Sequence, residues 1–435
     1  MSRYVRFGNT LLTMMLAGFA VRIIVVACMY SMHLNPILDH WKFGWEMGRV
    51  ARSLYAGQGF SSPLFEPSGS TAWMAPGYPL LLAAMFKLFG LFSTASIWAI
   101  LTLNSIFGVV TIAAVYKIAL RVFGEATAKI AGWTWAVFPY SIYLSAGRVW
   151  ENTLTTMLMT LLFLLTLELE EKPTLGKWLG WGAMWGLGAL VSPALTGALP
   201  FLGLWIAWRH QKRGVGWLPQ AAVAALFFWA LLSPWMLRNW ETFHRFIPLR
   251  DNFWLELHVG NNGDTSDVTP DSSHPSNSII ERAEWNRLGE LGYMEAKKHE
   301  VIGFIKAHPA FFAWVTVRRF VYTWTGFWTL DPKFLHEEPF HIPNVLFTTT
   351  LTLFLLLGLQ RAWSNGYRES ITPVLLLVIA FPFIYYLTHP SMDYRHPIDP
   401  MIVIMGGYAV VEWMERRAVV PREGEAVEEL IATGD

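Results

Sequence analysis

The stretch LDHWKFGWEMGRVARSLYAGQGF (residues 38–60), followed by TAWMAPGYPLLL (residues 71–82), is the first long polar interruption after an apolar N-terminal segment. It contains two acids, Asp39 and Glu46, just beyond the apolar run. Acidic side chains at a membrane boundary cost free energy and usually have a function where they occur. The stretch therefore predicts a loop on a membrane surface whose carboxylates take part in chemistry.

The composition of the chain also indicates a membrane protein. The 435 residues are 54% hydrophobic and 15% charged, with 23 Trp and 29 Phe, whereas soluble domains carry about 25% charged residues. The net charge of +1 gives no sign of a nucleic-acid partner. Cys28 is the single cysteine, which excludes an internal disulfide and a multi-cysteine metal site. The predicted fold class is an all-α polytopic membrane protein.

The apolar runs predict about ten transmembrane helices, because a helix needs about 20 apolar residues to span a bilayer. The first run could be a signal peptide, but its length and its interruption by Arg22 favour an uncleaved helix. Two further runs, residues 79–90 and 310–328, are interpreted as helices along the outer surface. The predicted spans are residues 11–32, 94–116, 127–146, 152–169, 177–191, 194–209, 217–236, 342–360, 371–388 and 397–414.

The placement of Lys and Arg predicts the orientation of these spans, since cytoplasmic segments collect positive charge. Both termini are predicted to be cytoplasmic, and the outer side receives residues 33–93 and 237–341 among others. The basic inner segments are residues 1–10, 117–126, 170–176, 210–216, 361–370 and 415–435. The predicted domains are an N-terminal transmembrane core with the catalytic first outer loop 33–93 (residues 1–236), an outer-face region with interfacial helices (237–341), C-terminal transmembrane helices (342–414) and a disordered cytoplasmic tail (415–435).

Two interpretations of the acids in the first outer loop remain open. Apolar residues recur at helical spacing from Phe43 to Leu54, with Glu46, Arg49 and Ser53 on the other side, which predicts an amphipathic helix on a membrane surface. Asp39 could therefore cap this helix, and Glu46 could pair with a neighbouring arginine. The alternative is that one of the two carboxylates acts as a general base on an acceptor hydroxyl.

Other predicted outer segments offer polar groups with similar alternatives. Arg148 and Glu151, between two spans, could form a local ion pair or contribute to the same outer site. Arg238 and Arg250 could bind a lipid phosphate, because guanidinium matches phosphate with paired hydrogen bonds, or they could anchor the chain at lipid headgroups. The stretch HPSMDYRHPIDP (residues 389–400) crowds ionisable groups between two spans, so it is the most strongly indicated functional segment.

These features together resemble the GT-C superfamily of membrane glycosyltransferases, especially the bacterial branch related to protein O-mannosyltransferases and the lipid A aminoarabinose transferase. The resemblance covers most of the chain in layout, through short motifs. They are an acid after the first helix (Asp39 or Glu46), the turn ARSLYAGQGF (residues 51–60), the PGYP entry to a short apolar helix (residues 76–79), a second acid at Glu151, and YRHP before a late helix (residues 394–397).

The resemblance implies an inverting transfer of a sugar from a polyprenyl-phosphate donor to a hydroxyl acceptor, on the outer face of a bacterial inner membrane. Asp39 or Glu46 would be the catalytic base, and Arg395, together with Arg238 or Arg250, would stabilise the charge that grows on the leaving phosphate. Members commonly have Tyr four residues after the acid, where Phe43 stands here, so the choice between the two acids stays open and Asp39 is favoured by its position. The chemistry requires no metal, and no metal site or other cofactor is predicted. The further residues expected to contact substrate are Tyr78, Arg148, Glu151, Arg238, Arg250, Asn252, Asn261, Tyr394, Arg395 and His396.

Two other classes of protein share parts of this pattern. A transporter or a flippase for lipid-linked sugars would also have about ten spans, but it should carry ionisable groups at mid-membrane or internal repeats. Arg22 and Lys87 are the main charges inside apolar runs, and no repeat is evident. A noncatalytic scaffold would not need acids, arginine and tyrosine crowded on one face. A membrane glycosyltransferase is therefore the favoured interpretation, with a transporter or flippase as the alternative.

Overall fold

The computed structural model describes residues 11–30, 43–64, 67–265, 273–329 and 341–419. Within these residues the regular structure is helical, with a single isolated β-bridge between Ser61 and Ser70 and no β-strand. The α-helices are α1 (Leu11–Tyr30), α2 (Trp45–Tyr55), α3 (Gly77–Phe89), α4 (Thr94–Phe123), α5 (Glu125–Ala136), α6 (Pro139–Gly147), α7 (Asn152–Glu171), α8 (Leu175–Val191), α9 (Leu199–Lys212), α10 (Leu218–Phe243), α11 (Phe253–Gly260), α12 (Ile279–Ala307), α13 (Pro309–Thr325), α14 (His341–Ser364), α15 (Arg368–Ala380), α16 (Phe383–Leu387) and α17 (Asp399–Val419). Short 3-10 helices cover Pro193–Ala198 and Met392–Ile398.

Six helical segments of the described chain are long and apolar enough to cross a membrane. They are Leu11–Cys28, Thr94–Phe123, Asn152–Glu171, Leu218–Phe243, Asn344–Ser364 and Arg368–Leu387. The prediction of an all-α polytopic membrane protein is confirmed. The number of ten spans is not confirmed and stays a prediction.

Of the other four predicted spans, the run 397–414 lies in the 21-residue helix α17, and the remaining three correspond to shorter or interrupted helices. The run 127–146 is divided between α5 and α6, because the chain leaves helical geometry at Phe138 before Pro139 begins the next helix. The run 194–209 starts as a 3-10 helix and continues in α9, which has 14 residues. The run 177–191 lies in α8, which has 17 residues. An apolar pattern indicates that these segments avoid water, but it does not show where their helical geometry is interrupted.

Close helix packing depends on small residues in α8. This helix lies along α10, and a Cβ atom added to Gly182 would stand 2.1 Å from the carbonyl oxygen of Ala224. The two backbones can approach this closely only because Gly182 has no side chain. Helix α4 lies against α1, α5 and α7 and so forms the centre of the N-terminal bundle.

The buried Arg22 of α1 is a structural group. Its guanidinium donates to the Ser145 and Ser141 hydroxyls at 3.1 and 3.0 Å and to the carbonyl oxygens of Gly18 and Ala136 at 2.9 and 3.0 Å. Gly108 of α4 leaves room for it, since a Cβ there would lie 2.8 Å from Arg22 Nε. Neutral acceptors therefore satisfy this intramembrane arginine and tie α1 to α6.

The helix predicted from Phe43 to Leu54 is α2, but both of its faces are covered. Met47 and Val50 are buried as expected, and so are the polar residues Glu46, Arg49 and Ser53. The helix is expected to lie on a membrane surface with its polar side exposed. This expectation is wrong for the polar side, which is covered by protein. The outer segments that follow α10 in the chain contribute contacts to this polar side, so the Glu46 carboxylate faces protein.

The short helices predicted at residues 79–90 and 310–328 are α3 and α13. In α13 the apolar side chains of Trp314, Val317 and Phe320 are exposed, whereas Arg319 is buried. Arg319 donates to Asn261 Oδ1 and to the carbonyl oxygens of Gly260 and Leu387. Arg319 therefore faces inward and holds α11.

Candidate active site

Of the two predicted catalytic acids, the structure describes only Glu46. Asp39 lies outside the described residues. Glu46, in the first turn of α2, is 6% exposed, and its Oε1 accepts a hydrogen bond of 2.6 Å from the hydroxyl of Ser276. The first outer loop thus supplies one described carboxylate that is buried and held by the segment just before α12.

Glu151 precedes the first residue of α7 and is only partly exposed. Its Oε2 has no hydrogen-bond partner among the described residues and is shielded from solvent. Burial raises the pKa of Glu151 to about 7, opposed by its own backbone N–H and by Arg250, and reinforced by the charges of Asp393 and Glu46. Glu151 therefore shares one electrostatic environment with these three residues.

Asp393 connects this environment to α6. The Arg148 guanidinium forms an ion pair of 2.6 Å with Asp393 Oδ2, and the Tyr140 hydroxyl donates to Asp393 Oδ1. Arg148 Nε also donates to the hydroxyl of Tyr143 at 3.1 Å. The contact of Arg148 with the far end of the chain brings residues 389–400 to the second outer loop, as the crowding of ionisable groups there suggested.

A second ion pair lies beside Arg250. His389 Nε2 contacts Glu256 Oε2 at 2.7 Å, and Asn252 Nδ2 donates to Glu256 Oε1. Burial acts to raise the pKa of Glu256, but the hydrogen bond and charge of His389, with the charges of Arg250 and His274, lower it to about 2. Glu256 is therefore ionised at neutral pH. The charge of Arg250 acts on both Glu256 and Glu151, and Arg250 forms no ion pair with any of the described residues.

We call the group of Glu46, Glu151, Arg250, Glu256, His389 and Asp393 the site cluster. Tyr394 borders it, with its ring stacked on Tyr385 at 4.3 Å between centroids and tilted against His389 at 5.5 Å. Burial, together with the charge of Glu256, raises the pKa of Tyr394 well above its usual value, so its hydroxyl stays protonated. The cluster combines four carboxylates, one guanidinium and one imidazole within a partly shielded region, with the Tyr394 hydroxyl at its border.

Arg395 and His396 lie next to the site cluster in sequence but bond elsewhere. Arg395 donates from Nε to Asp399 at 2.9 Å and from a terminal nitrogen to the Thr323 carbonyl at 3.2 Å. His396 Nδ1 contacts the same carboxylate at 3.1 Å, and its ring stacks on Trp135. These two residues join the start of α17 to α13 and α5, and their predicted contact with substrate stays a prediction.

Arg238 also has structural partners. Its guanidinium donates to the carbonyl oxygens of Phe60 and Thr71 at 2.7 Å each and to Asn239 Oδ1 at 2.9 Å. These bonds hold the two ends of the segment between α2 and α3. Three arginines are expected near the phosphate, namely Arg238, Arg250 and Arg395, and Arg250 is the one whose charge acts on the Glu151 and Glu256 carboxylates.

The remaining predicted residues support the site from outside it. Tyr78 is fully buried and exchanges hydrogen bonds of 3.1–3.2 Å with Asn104, which also donates to the Arg148 carbonyl at 3.2 Å. Asn261 Nδ2 donates to the carbonyl oxygens of Leu257 and Leu387 at 2.7 and 2.9 Å. Both side chains position backbone that carries site residues.

Several site groups were not singled out from the sequence. Glu256, on the short helix α11, has no motif around it, and Ser276 is one of several serines in a Ser/Pro-rich stretch. His389 and Asp393 lie in the crowded segment that was singled out, but not as individual candidates. Only the fold shows that these residues meet. No group of three potential metal ligands occurs among the described residues.

The chain is similar to known proteins in part of its sequence and in its fold. A family model described as dolichyl-phosphate-mannose-protein mannosyltransferase matches residues 74–237. The apo crystal structure of the Archaeoglobus fulgidus oligosaccharyltransferase superposes with a TM-score of 0.53 at 14% identity, over 99% of this chain and 53% of that one. This chain therefore spans about half the length of that enzyme. A search of curated proteins gave no significant match.

A second solved structure is similar at a lower level. ArnT from Cupriavidus metallidurans, bound to undecaprenyl phosphate, aligns with a TM-score of 0.41 at 13% identity, over 91% of this chain and 77% of that one. This score is too low to support an argument by itself.

The described chain shares the fold of the Archaeoglobus fulgidus oligosaccharyltransferase and has the apolar helices of a polytopic membrane protein. The expected relationship to the GT-C superfamily of membrane glycosyltransferases, and to its branch with protein O-mannosyltransferases, is confirmed by the family match together with the shared fold.

Proposed function

We propose that the protein is an inverting glycosyltransferase that moves a sugar from a polyprenyl-phosphate donor to a hydroxyl group of a lipid, glycan or protein. The matched family is described by a dolichyl-phosphate sugar donor and a protein acceptor, which supports this class of donor and acceptor. We further propose that the protein resides in a bacterial inner membrane, with both termini in the cytoplasm and the site on the periplasmic face. The positive charge of the predicted inner segments supports this orientation.

The arrangement around Arg250 carries the proposal. Its positive charge acts on Glu151, Glu256 and Tyr394. A guanidinium in such a place can bind the phosphate of a lipid-linked sugar and stabilise the charge that grows on it as the sugar leaves. The carboxylates next to it can accept a proton from the attacking hydroxyl. One region therefore contains the groups that both halves of the reaction need.

The reaction follows from these roles. The acceptor oxygen attacks the anomeric carbon and forms the new glycosidic bond, while the bond from that carbon to the phosphate oxygen breaks. The acceptor proton passes to a carboxylate of the first outer loop, Glu46 or Asp39. Polyprenyl phosphate leaves with the bonding electron pair, and Arg250 neutralises its additional charge. Because phosphate is already a good leaving group, this scheme requires no metal.

Glu151 has a separate role in this scheme. With a pKa of about 7, it holds a proton in part of the molecules at neutral pH. A neutral Glu151 reduces the negative charge that a phosphate would meet beside Arg250, whereas an ionised Glu151 would repel it. We infer that Glu151 adjusts donor binding, and that the first outer loop supplies the base.

Transfer with purified protein in detergent tests the proposal, with undecaprenyl-phosphate mannose as the donor and released undecaprenyl phosphate as the measured product. We expect E46Q or D39N to lower kcat about 10²–10⁴-fold, as loss of a general base does. We expect R250Q to weaken binding of undecaprenyl phosphate at least tenfold, because it removes the charge that faces the phosphate.

Two substitutions at exposed positions serve as controls. Arg287, with 68% of its side chain exposed, and Glu295, with 42%, allow the matched changes R287Q and E295Q, which should leave transfer unchanged. If D39N and E46Q both transferred sugar at the wild-type rate, neither Asp39 nor Glu46 would be the catalytic base. Movement of the donor across proteoliposome membranes without transfer would instead support the flippase alternative.

A further inference from the structure

We propose that Ser276 is a positioning residue for the Glu46 carboxylate: its hydroxyl fixes one carboxylate oxygen, so that the other is presented to the acceptor. This inference rests on the proposed function, in which Glu46 serves as a base. It assigns a role to the segment between α11 and α12 that no motif in the sequence indicates.

The contact itself is short and shielded. Ser276 Oγ lies 2.6 Å from Glu46 Oε1, and the two residues are 3% and 6% exposed. A hydroxyl that donates to an ionised carboxylate over this distance forms one of the stronger hydrogen bonds in proteins. Such a bond holds the plane of the carboxylate, which would otherwise rotate about its terminal torsion with little preference.

Ser276 is itself held in place by its neighbours. Arg282 donates to the carbonyl oxygens of Pro275 and Ser276 at 3.1 and 2.9 Å, and the Ser276 N–H donates to His274 Nδ1 at 3.2 Å. The His274 ring packs on Trp73, 5.3 Å between centroids. The hydroxyl therefore belongs to a fixed turn, which is what positioning of another group requires.

Among the described residues, the Glu46 carboxylate accepts a side-chain hydrogen bond from Ser276 and none from α2 itself. The orientation of the carboxylate therefore depends on a partner 230 residues away in the chain. The other charged groups whose interactions with Glu46 are evident are Arg49 on α2 and Glu151 at the start of α7, and neither bonds Ser276.

The test compares S276A, S276T and S278A in the full-length protein, with undecaprenyl-phosphate mannose as the donor. We expect S276A to lower kcat about tenfold or more with little change in KM for the donor. Its acid limb in the pH profile of kcat should move to higher pH, because the ionised carboxylate has lost a hydrogen bond. S276T keeps a hydroxyl and should restore most of kcat and the position of the limb.

Ser278 provides the matched control. Its hydroxyl caps α12 by accepting from the Glu281 N–H at 3.3 Å. S278A should therefore lower the thermal unfolding temperature without moving the acid limb.

The outcomes separate the two proposals. If the wild-type protein transfers sugar and E46Q abolishes transfer, but S276A keeps the wild-type kcat and acid limb, the role of Ser276 is refuted and the proposed function stands. Equal losses in S276A and S278A, or no recovery in a folded S276T, also refute it, because they indicate support of the fold alone. If the wild-type protein transfers no sugar, the proposed function fails and the positioning role fails with it.

Discussion

At the scale of single residues, Glu151 shows how burial turns an ordinary side chain into a pH-sensitive one. Burial raises its pKa to about 7 from the usual 4.5. The folded protein therefore binds this proton more tightly than the unfolded chain does. The resulting stabilisation is complete below about pH 4.5 and is lost as the pH rises through 7.

We expect E151Q to be more stable than the wild-type protein at pH 8 and about equal to it near pH 4.5. The neutral amide avoids the cost of a buried negative charge, which corresponds to up to about 3 kcal/mol for a pKa rise of this size. Thermal unfolding in detergent at the two pH values measures the difference. E295Q, at an exposed position, should show no such dependence, and a loss of stability in E151Q at pH 8 would contradict the assignment.

The arginines show what sequence can and cannot identify at this scale. Arg238, Arg250 and Arg395 all follow or precede predicted spans, and each is a plausible partner for a phosphate by residue type alone. Arg238 bonds to carbonyl oxygens of the first outer loop, and Arg395 bonds to Asp399. Arg250 faces the site cluster instead. The difference lies in contacts made over long sequence separations, which local pattern does not encode.

At the scale of helices, the contact of α8 with α10 depends on Gly182. We expect G182A to lower the free energy of unfolding by about 1–3 kcal/mol, because the added methyl would overlap the Ala224 carbonyl and force the helices apart. Thermal unfolding in detergent measures this loss. G176A is the matched control in the same helix, since a Cβ there meets no heavy atom within 4 Å. Equal stability of the two variants would show that the helices are not in contact as described.

The predictions for individual helices succeeded where local signals dominate. Spacing of apolar residues located α2, and the prolines and glycines at residues 76–79 located the start of α3. The same spacing could not show that the polar face of α2 is covered, because the covering residues lie more than 200 positions later, as the bond from Ser276 shows. Likewise, the predicted span 127–146 gave no indication of where α5 ends, since both halves are equally apolar.

At the scale of the whole molecule, orientation in the membrane is the feature that charge placement predicts. We expect a fluorescent protein fused to the C-terminus to fluoresce, because it folds in the cytoplasm, and alkaline phosphatase fused after residue 265 to be active, because it folds in the periplasm. The reason is the excess of Lys and Arg in the predicted inner segments. A C-terminal fusion that does not fluoresce, together with an inactive phosphatase fusion after residue 265, would place the site cluster in the cytoplasm and contradict the proposed orientation.

The general architecture could be predicted because composition and apolar run length reflect the bilayer directly. The assembly of the site could not, because it joins α2, the start of α7, α11 and the 3-10 helix Met392–Ile398, which are distant in the chain. Asp39 lies outside the described residues, so its expected role remains as the sequence predicted it.

The bond between Ser276 and Glu46 also has a consequence for biosynthesis. A ribosome adds Glu46 to the chain 230 residues before it reaches Ser276. In the proposed orientation, the first outer loop would be translocated during that interval, while its carboxylate has no partner from the later segment. The proposed site would then be completed only late in translation, and nascent chains arrested before residue 276 should insert their early helices while remaining inactive.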